Sequence, residues 1–214
     1  MENEKIIEAL KKLQSEKRKF PQSIDLVVTL KGIDVKKVSI DFFITLSYKS
    51  KEKRVCLFAE KSVPQAEKIF GKVVLKENFS TYDKKASKNL AKEFDFFVSQ
   101  APVMASVASS FGKILGPAGK MPSPATGSVL TKLDERSLTE LSERLKKTVR
   151  LRTSKSDSSL KLSVGNQNMS EEEIVANIKS AVESIVKNLP KGEENVRSIL
   201  IKTTMGKPIR LELK

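Results

Sequence analysis

Apolar residues near the start of the chain follow first a helical and then an alternating spacing. Over residues 2–19 they recur every three or four positions, which predicts a helix. Residues 23–31 and 38–47 alternate apolar and polar side chains. Because successive side chains of a strand point to opposite faces, these segments are predicted as two half-buried strands of an antiparallel sheet.

The pattern changes near residue 52. Short continuous apolar runs at 54–59, 73–75 and 95–99 alternate with segments of helical spacing, the last of them an alanine-rich helix over about 102–115. Such runs are typical of strands buried on both faces. The middle section therefore predicts parallel βαβ units with helices on both sides of the sheet.

Two helix starts are marked by capping boxes, in which a serine and a glutamate three residues later cap each other's backbone. Ser137 with Glu140 predicts a helix that closes the middle section, and Ser170 with Glu173 predicts one in the final section. The final section otherwise alternates, and it is predicted to form strands over 148–152, 159–164, 196–203 and 208–213.

Neither end of the chain alone supplies a complete layered core. The fold class predicted is therefore a two-layer α+β domain formed by both termini, with an inserted three-layer Rossmann-like α/β domain. The terminal domain takes residues 1–51 and 153–214, and the inserted domain takes 52–152. The two crossings between them are expected to act as a hinge.

The charge of the chain favours an anionic partner. Forty Lys and Arg against 26 Asp and Glu give a net charge of +14 in 214 residues, which points to nucleic acid rather than to an anionic membrane. The excess is uneven, because residues 51–152 hold 20 basic and 11 acidic residues, net +9, and the rest holds 20 and 15, net +5.

Several function classes lack the residues they need. The chain has no histidine, the commonest general base and zinc ligand, and it shows no paired catalytic carboxylates, metal cluster or activated nucleophile. We therefore expect no enzyme, cofactor or metal. Cys56 is expected to be a buried, inert thiol. Neither a signal peptide nor a membrane span is evident, so a soluble cytoplasmic protein without membrane contact is expected.

The segment Ile114–Gly127, with the sequence ILGPAGKMPSPATG, crowds glycines and prolines around Lys120. A Walker phosphate loop requires Ser or Thr after its lysine, whereas Met121 stands here, and Pro117 removes an amide that would bind phosphate. A rigid turn after a helix is the better interpretation. We expect this loop to face the cleft between the domains.

Two further segments leave alternatives open. Residues 202–208, KTTMGKP, are either a plain hairpin turn or a loop that meets the sugars and phosphates of a nucleic acid. Residues 16–23, EKRKFPQS, are either a solvated helix end with Phe20 in the core or an RNA contact with an aromatic support. The spacing alone does not decide between them.

Four stretches together resemble a known family. They are LGPAGKMPSP at 115–124, KFPQSIDLVVTLKGID at 19–34, DFFVSQAPVM at 95–104 and TTMGKP at 203–208. They are similar to the large-subunit ribosomal protein L-one family, the proteins of the mobile stalk beside the tRNA exit site. GKMPSP is closer to the archaeal type than to the bacterial one.

The resemblance implies a protein that is monomeric when free of the ribosome. It implies binding to the stalk region of large-subunit ribosomal RNA, help in releasing deacylated tRNA from the exit site, and repression of translation through its own messenger RNA. The alternative is a ribosome-assembly factor of the same fold, which loss of the Thr-Met-Gly loop would have favoured. A nucleotide-binding enzyme, a different class, would require saturable nucleotide binding, for which the chain has no motif.

The resemblance also implies the RNA-binding residues. Those that match the family's contact surface, or lie next to it, are Thr204, Met205, Gly206, Phe20, Lys19, Ser23 and Asp25. Lys155 and Lys161 lie in the segment that corresponds to a third contact region, where serines depart from the common pattern. Because of its larger net charge, the inserted domain is expected to face tRNA or further ribosomal RNA.

Overall fold

The computed structural model describes residues 3–14, 20–35, 40–131, 133–154 and 157–211. The chain folds into two compact units. The terminal unit comprises Met1–Lys51 and Lys147–Lys214, and the inserted unit comprises Glu52–Lys146. In chain order the helices and strands are α1 (Asn3–Gln14), β1 (Ser23–Leu30), β2 (Asp41–Thr45), β3 (Val55–Ala59), α2 (Pro64–Ile69), β4 (Lys72–Leu75), α3 (Lys84–Glu93), β5 (Phe96–Gln100), α4 (Met104–Ala118), β6 (Val129–Leu130), α5 (Glu135–Lys147), β7 (Thr148–Arg152), β8 (Ser159–Asn166), α6 (Glu171–Asn188), β9 (Val196–Thr203) and β10 (Ile209–Leu211).

The terminal unit is built on an antiparallel four-stranded sheet with the order β10-β9-β1-β8. Strand β1 buries every second residue, from Ile24 to Leu30, as its alternation predicts. These residues share one apolar core with the buried faces of α1 and α6, so both helices pack on the same side of the sheet. The other side carries the polar positions of β1, including Ser23 and Asp25.

The predicted pairing of the second strand was wrong. Strand β2 does not join the sheet of β1; it forms a separate two-stranded ladder with β7, in which Thr45 lies opposite Thr148. Alternation fixes which side of a strand is buried, but it carries no information about the partner strand. In this ladder Arg150 Nε donates to Asp41 Oδ1 at 2.7 Å.

The ladder also moves the second domain boundary from 153 to 147, because β7 belongs with β2 in the terminal unit. With the boundaries of the structure, residues 52–146 hold 16 basic and 11 acidic residues, net +5, and the rest holds 24 and 15, net +9. The expected excess of charge in the inserted domain is thereby reversed. The terminal unit is the more basic of the two.

The inserted unit has the predicted three layers. Its parallel sheet has the order β4-β3-β5-β6. All five residues of β3 are buried, because one face of the strand packs in the core of α2 and α5 and the other face packs in the core of α3 and α4. The fold class predicted from the sequence is confirmed.

One of the two predicted capping boxes is present. Ser170 Oγ accepts from the backbone N–H of Glu173, whose carboxylate accepts from the Ser170 N–H, at the start of α6. The other prediction was wrong, because α5 begins at Glu135 and Ser137 lies inside its first turn. The backbone N–H of Leu138 there donates to the carbonyl of Asp134.

The first part of the glycine- and proline-rich segment, including Pro117, is the last turn of α4, which is longer than predicted, and the turn begins at Gly119. Gly119 has the left-handed conformation, with φ 66°, and its N–H donates to the Gly116 carbonyl, while the Lys120 N–H reaches the Leu115 carbonyl. The Lys120 ammonium donates to the carbonyls of Ala91 and Phe94, at 2.9 and 2.7 Å. The single lysine of this segment therefore caps the end of α3.

Candidate nucleic-acid interface

Three loops meet at one end of the terminal sheet. They are Phe20–Ser23 before β1, Asn166–Asn168 after β8 and Thr203–Gly206 after β9, and with Ser50 and Lys51 we call them the end-of-sheet surface. They meet because β1 runs antiparallel to both β8 and β9, so that Ser23 lies opposite Asn166 and Ile24 lies opposite Thr203. A pocket of about 470 Å³ opens there, lined by Phe20, Pro21, Gln22, Ser23, Ser50, Lys51, Ser163, Asn166, Asn168 and Thr204.

Direct hydrogen bonds join the first and last of these loops. The hydroxyls of Ser23 and Thr204 lie 2.8 Å apart, and the Thr204 N–H donates to the Ser23 carbonyl at 3.1 Å. The Gly206 N–H closes the turn onto the carbonyl of Thr203. The Thr204–Gly206 loop is thus a hairpin turn whose position is fixed by β1, and both the structural and the binding interpretation of this segment are compatible with it.

Gln22 ties all three loops together. Its side-chain oxygen accepts from the Met205 N–H at 3.1 Å. Its backbone N–H donates to the Gln167 side chain, and its carbonyl accepts from the Gln167 N–H, each at 3.0 Å. The residue is 1% exposed, and its side-chain nitrogen has no hydrogen-bond partner among the described residues. That nitrogen is shielded from solvent, so the role that the structure shows for Gln22 is to hold the three loops together.

Two large apolar side chains project from this otherwise polar surface. Phe20 is 53% exposed and Met205 is 62% exposed. Phe20 is therefore not in the core, which excludes the structural alternative considered for it from the sequence. An aromatic ring and a flexible thioether, held by hydrogen-bonded loops, offer the contacts on which bases and sugars pack.

Asp25 lies on the outer side of β1, between Ser163 on one neighbouring strand and Lys202 on the other. Burial raises the pKa of its carboxyl above the ordinary value, while Lys202 and a hydrogen bond from Ser23 act in the opposite direction. The structure thus places Asp25 on the predicted strand β1, close to Ser23, and not among the residues that line the pocket.

Lys161 is not part of the pocket. It lies on β8 opposite Val27 and forms an ion pair with Asp157 at 2.7 Å, and this lysine holds the pKa of the Asp157 carboxyl below its ordinary value. The Lys161 ammonium already pairs with the Asp157 carboxylate, so a phosphate would have to displace that carboxylate to bind the lysine. Lys19 and Lys155 lie outside the described residues.

Several residues of the surface carried no signal in the sequence. Gln22 is one polar residue of the segment 16–23, Asn166 and Asn168 belong to a run of three amides at the end of β8, and Ser50 and Lys51 lie in a polar stretch between two predicted strands. These residues come close to Thr204 only because the three loops meet in the fold.

No cluster of three His, Cys, Asp or Glu side chains that could hold a metal occurs in the described ranges. None of the helices described there is long and apolar enough to cross a membrane.

The chain matches the model of the ribosomal protein L1p/L10e family over residues 10–207. It is 33% identical to the large ribosomal subunit protein uL1 of Pyrococcus abyssi, over 99% of this chain and 97% of that protein. It is also 36% identical to the protein of the same name from Methanobrevibacter smithii, over 97% of this chain and 99% of that protein. These relatives are archaeal, in agreement with the type expected from GKMPSP.

Proposed function

Because the chain belongs to the ribosomal protein L1p/L10e family, we propose that its terminal unit binds the stalk region of large-subunit ribosomal RNA through the end-of-sheet surface. The chain is a non-enzymatic protein of the large ribosomal subunit, and its place is the ribosome. Membership implies contact with ribosomal RNA. The proposal names the RNA region and the protein surface that binds it.

The observation that carries the proposal is the exposure of Phe20 and Met205 on loops that hydrogen bonds hold in place. Exposed large apolar side chains on an ordered surface mark an interaction site. Around them lie the hydroxyls of Ser23 and Thr204, which suit sugar and base edges, and Lys51, which suits a phosphate. Because these loops are fixed by the fold, little conformational entropy is lost on binding.

Gly206 supports the same assignment. Gly206 does not have a positive φ. The described glycines that do are Gly32, Gly119, Gly127 and Gly192, so the backbone conformation at 206 does not require a glycine. The absence of a side chain instead allows close approach of another backbone. An RNA strand passing over the turn would use that space.

We further propose that stalk binding underlies two other activities. A protein held on the stalk beside the exit site can follow deacylated tRNA as it leaves. A segment of the protein's own messenger RNA that folds like the stalk would compete for the end-of-sheet surface, and translation would then be repressed when free protein accumulates. Binding through shape and 2′-hydroxyls permits such mimicry between two RNAs.

A salt-controlled titration with a stalk-region RNA fragment tests the proposal. The variant Thr204→Ala/Met205→Ala is compared with the intact protein and with Thr131→Ala/Met104→Ala, which changes the same residue types in the inserted unit. We expect at least tenfold weaker binding for the first variant only, and little competition from an unrelated structured RNA. Equal, salt-labile binding of both RNAs by all three proteins would show a general basic surface and refute the proposal.

A further inference from the structure

A second basic feature lies in the inserted unit, in the groove between α3 and α4. The groove has a volume of about 880 Å³. Four exposed lysines line it, Lys84, Lys88 and Lys92 on α3 and Lys113 on α4, and we call it the lysine groove. Its remaining surface is largely apolar and includes Ile114 and Pro117.

The three lysines of α3 stand four residues apart, so they share one face of the helix. Like charges at this spacing repel each other and destabilise the helix. None of the four lysines forms an ion pair with a carboxylate within the part of the chain that the structure describes. Glu93, the acidic residue of α3, instead lies 3.5 Å from Arg54. The folded unit therefore keeps a line of positive charge that its own acidic residues do not neutralise.

Lys120 at the end of this groove differs from the other four. Its ammonium is held by the carbonyls of Ala91 and Phe94 and so is already used by the fold. The four exposed lysines have no such structural role. Their side chains are therefore available to a ligand.

We propose that the lysine groove binds the phosphate backbone of a single-stranded RNA segment. Residues four apart on a helix are separated by about 6 Å along its axis, which is a separation that neighbouring phosphates of a single strand can adopt. The apolar floor suits the faces of unpaired bases, which a duplex would keep stacked inside. RNA is favoured over an acidic peptide because the chain is a protein of the ribosomal subunit.

This site is separate from the end-of-sheet surface, so it is tested in a protein in which binding by that surface has been weakened. The parent protein is the full chain with Thr204→Ala and Met205→Ala. The groove variant adds Lys88→Gln, Lys92→Gln and Lys113→Gln. The matched control adds Lys61→Gln, Lys68→Gln and Lys85→Gln, which remove the same charge from exposed lysines of the inserted unit outside the groove. Circular dichroism and thermal unfolding check that all three are folded.

The probe is an oligouridine of about twelve nucleotides, titrated at several salt concentrations. Each phosphate contact contributes about 0.7 to the slope of log affinity against log salt for a single strand, so the groove variant is expected to lose about two units of slope. At low salt we expect at least tenfold weaker binding for it, with the control close to the parent. Equal losses in both variants would overturn the proposal.

A fluorophore reports occupancy of the groove directly. Ser110 is exposed and lines the groove, so Ser110→Cys can be labelled while the native Cys56, which is fully buried, stays unmodified. The label at 110 is expected to respond to the oligouridine, whereas a label at Ser62→Cys, outside the groove, is not. A polyglutamate peptide of equal charge that displaces the RNA at the same concentration would assign the groove to acidic proteins instead. Tighter binding of duplex RNA would refute the single-stranded assignment.

Discussion

Phe20 is exposed although the loop that carries it is held in place. The chain around it is fixed by Gln22, which is buried and hydrogen-bonded to two other loops, so the ring can remain 53% exposed without loss of order in the loop. Its contribution to the core is small for the same reason. Its proposed contribution to RNA binding can therefore be tested separately from its contribution to folding.

Phe20→Ala is expected to weaken binding of the stalk-region RNA by about 1–3 kcal/mol, because an aromatic stacking partner is lost. The thermal midpoint should hardly change, since the ring is half exposed. Phe20→Tyr keeps the aromatic face and should retain most of the affinity. Unchanged binding by the alanine variant would exclude this ring from the interface.

Asp25 makes a prediction about pH. Because burial raises its pKa in the folded state, the folded protein holds this proton to a higher pH than the unfolded chain does. Ionisation of Asp25 therefore lowers the free energy of unfolding as the pH rises from 3.8, the ordinary pKa of the carboxyl, through the higher pKa of the folded state. Asp25→Asn should be more stable than the parent at pH 7 and not at pH 3, as measured by urea unfolding. The reverse order at pH 7 would mean that Lys202 outweighs burial.

Burial strongly affects the protonation of Cys56. It lies on β3 between the two cores of the inserted unit, and burial raises the pKa of its thiol to about 12. We expect no reaction with a disulfide reagent at pH 8 in the folded protein and complete reaction in denaturant. Rapid reaction of the native protein would show that β3 opens readily.

At the scale of elements, the end of α3 in the inserted unit is held by a side chain from the end of α4. The Lys120 ammonium supplies two donors to carbonyls at the end of α3, and no intrahelical N–H can reach carbonyls in that position. The lysine of this segment serves the fold, because both of these hydrogen bonds go to backbone carbonyls. Its glycines and prolines bring one lysine from the end of α4 to the end of α3.

Lys120→Met keeps the length of the side chain but removes both hydrogen bonds. We expect a loss of about 1–3 kcal/mol in the free energy of unfolding, because two carbonyls lose their donor. Lys113→Met, on the exposed side of α4, is the control and should change stability by less than about 0.5 kcal/mol. Chemical denaturation followed by circular dichroism measures both. Equal stabilities would show that water replaces the lysine without cost.

The elements also show where sequence reasoning ends. Alternation located β1 and its buried side, and continuous apolar runs located the parallel strands of the inserted unit. The partner of β2 was missed because β7 is about a hundred residues away and either strand could pair on pattern alone. The start of α5 was missed because Ser137 and Glu140 have capping-box spacing although the helix begins two residues earlier. The amide side chains near Thr204 were not predicted as part of the site, because loop sequences have no periodicity that shows which loops lie close together in the fold.

At the scale of the whole molecule, the terminal unit is discontinuous, but its two segments meet within the β2–β7 ladder. Thr45 lies opposite Thr148, and the Leu46 N–H donates to the Lys147 carbonyl at 3.1 Å. Lys51 is five residues beyond Leu46, a reach of at most about 18 Å. A short linker can therefore replace the whole inserted unit.

A chain in which about six glycines join Lys51 to Lys147 is expected to fold and to bind stalk-region RNA within about tenfold of the full protein, because the end-of-sheet surface and its core are retained. Circular dichroism and the salt-controlled titration measure folding and affinity. Introducing Thr204→Ala/Met205→Ala into the shortened chain should abolish specific binding. A shortened chain that folds but does not bind would place the stalk site in the inserted unit.

The hydrogen bonds between Ser23 and Thr204 join residues 181 positions apart. During synthesis, the loop that contains Phe20 leaves the ribosome long before Thr204 has been made. A nascent or truncated chain that stops short of this residue has no end-of-sheet surface. If this surface binds the stalk region as proposed, a chain shorter than about 204 residues would lack the Ser23–Thr204 hydrogen bonds and would compete poorly with finished molecules for the RNA.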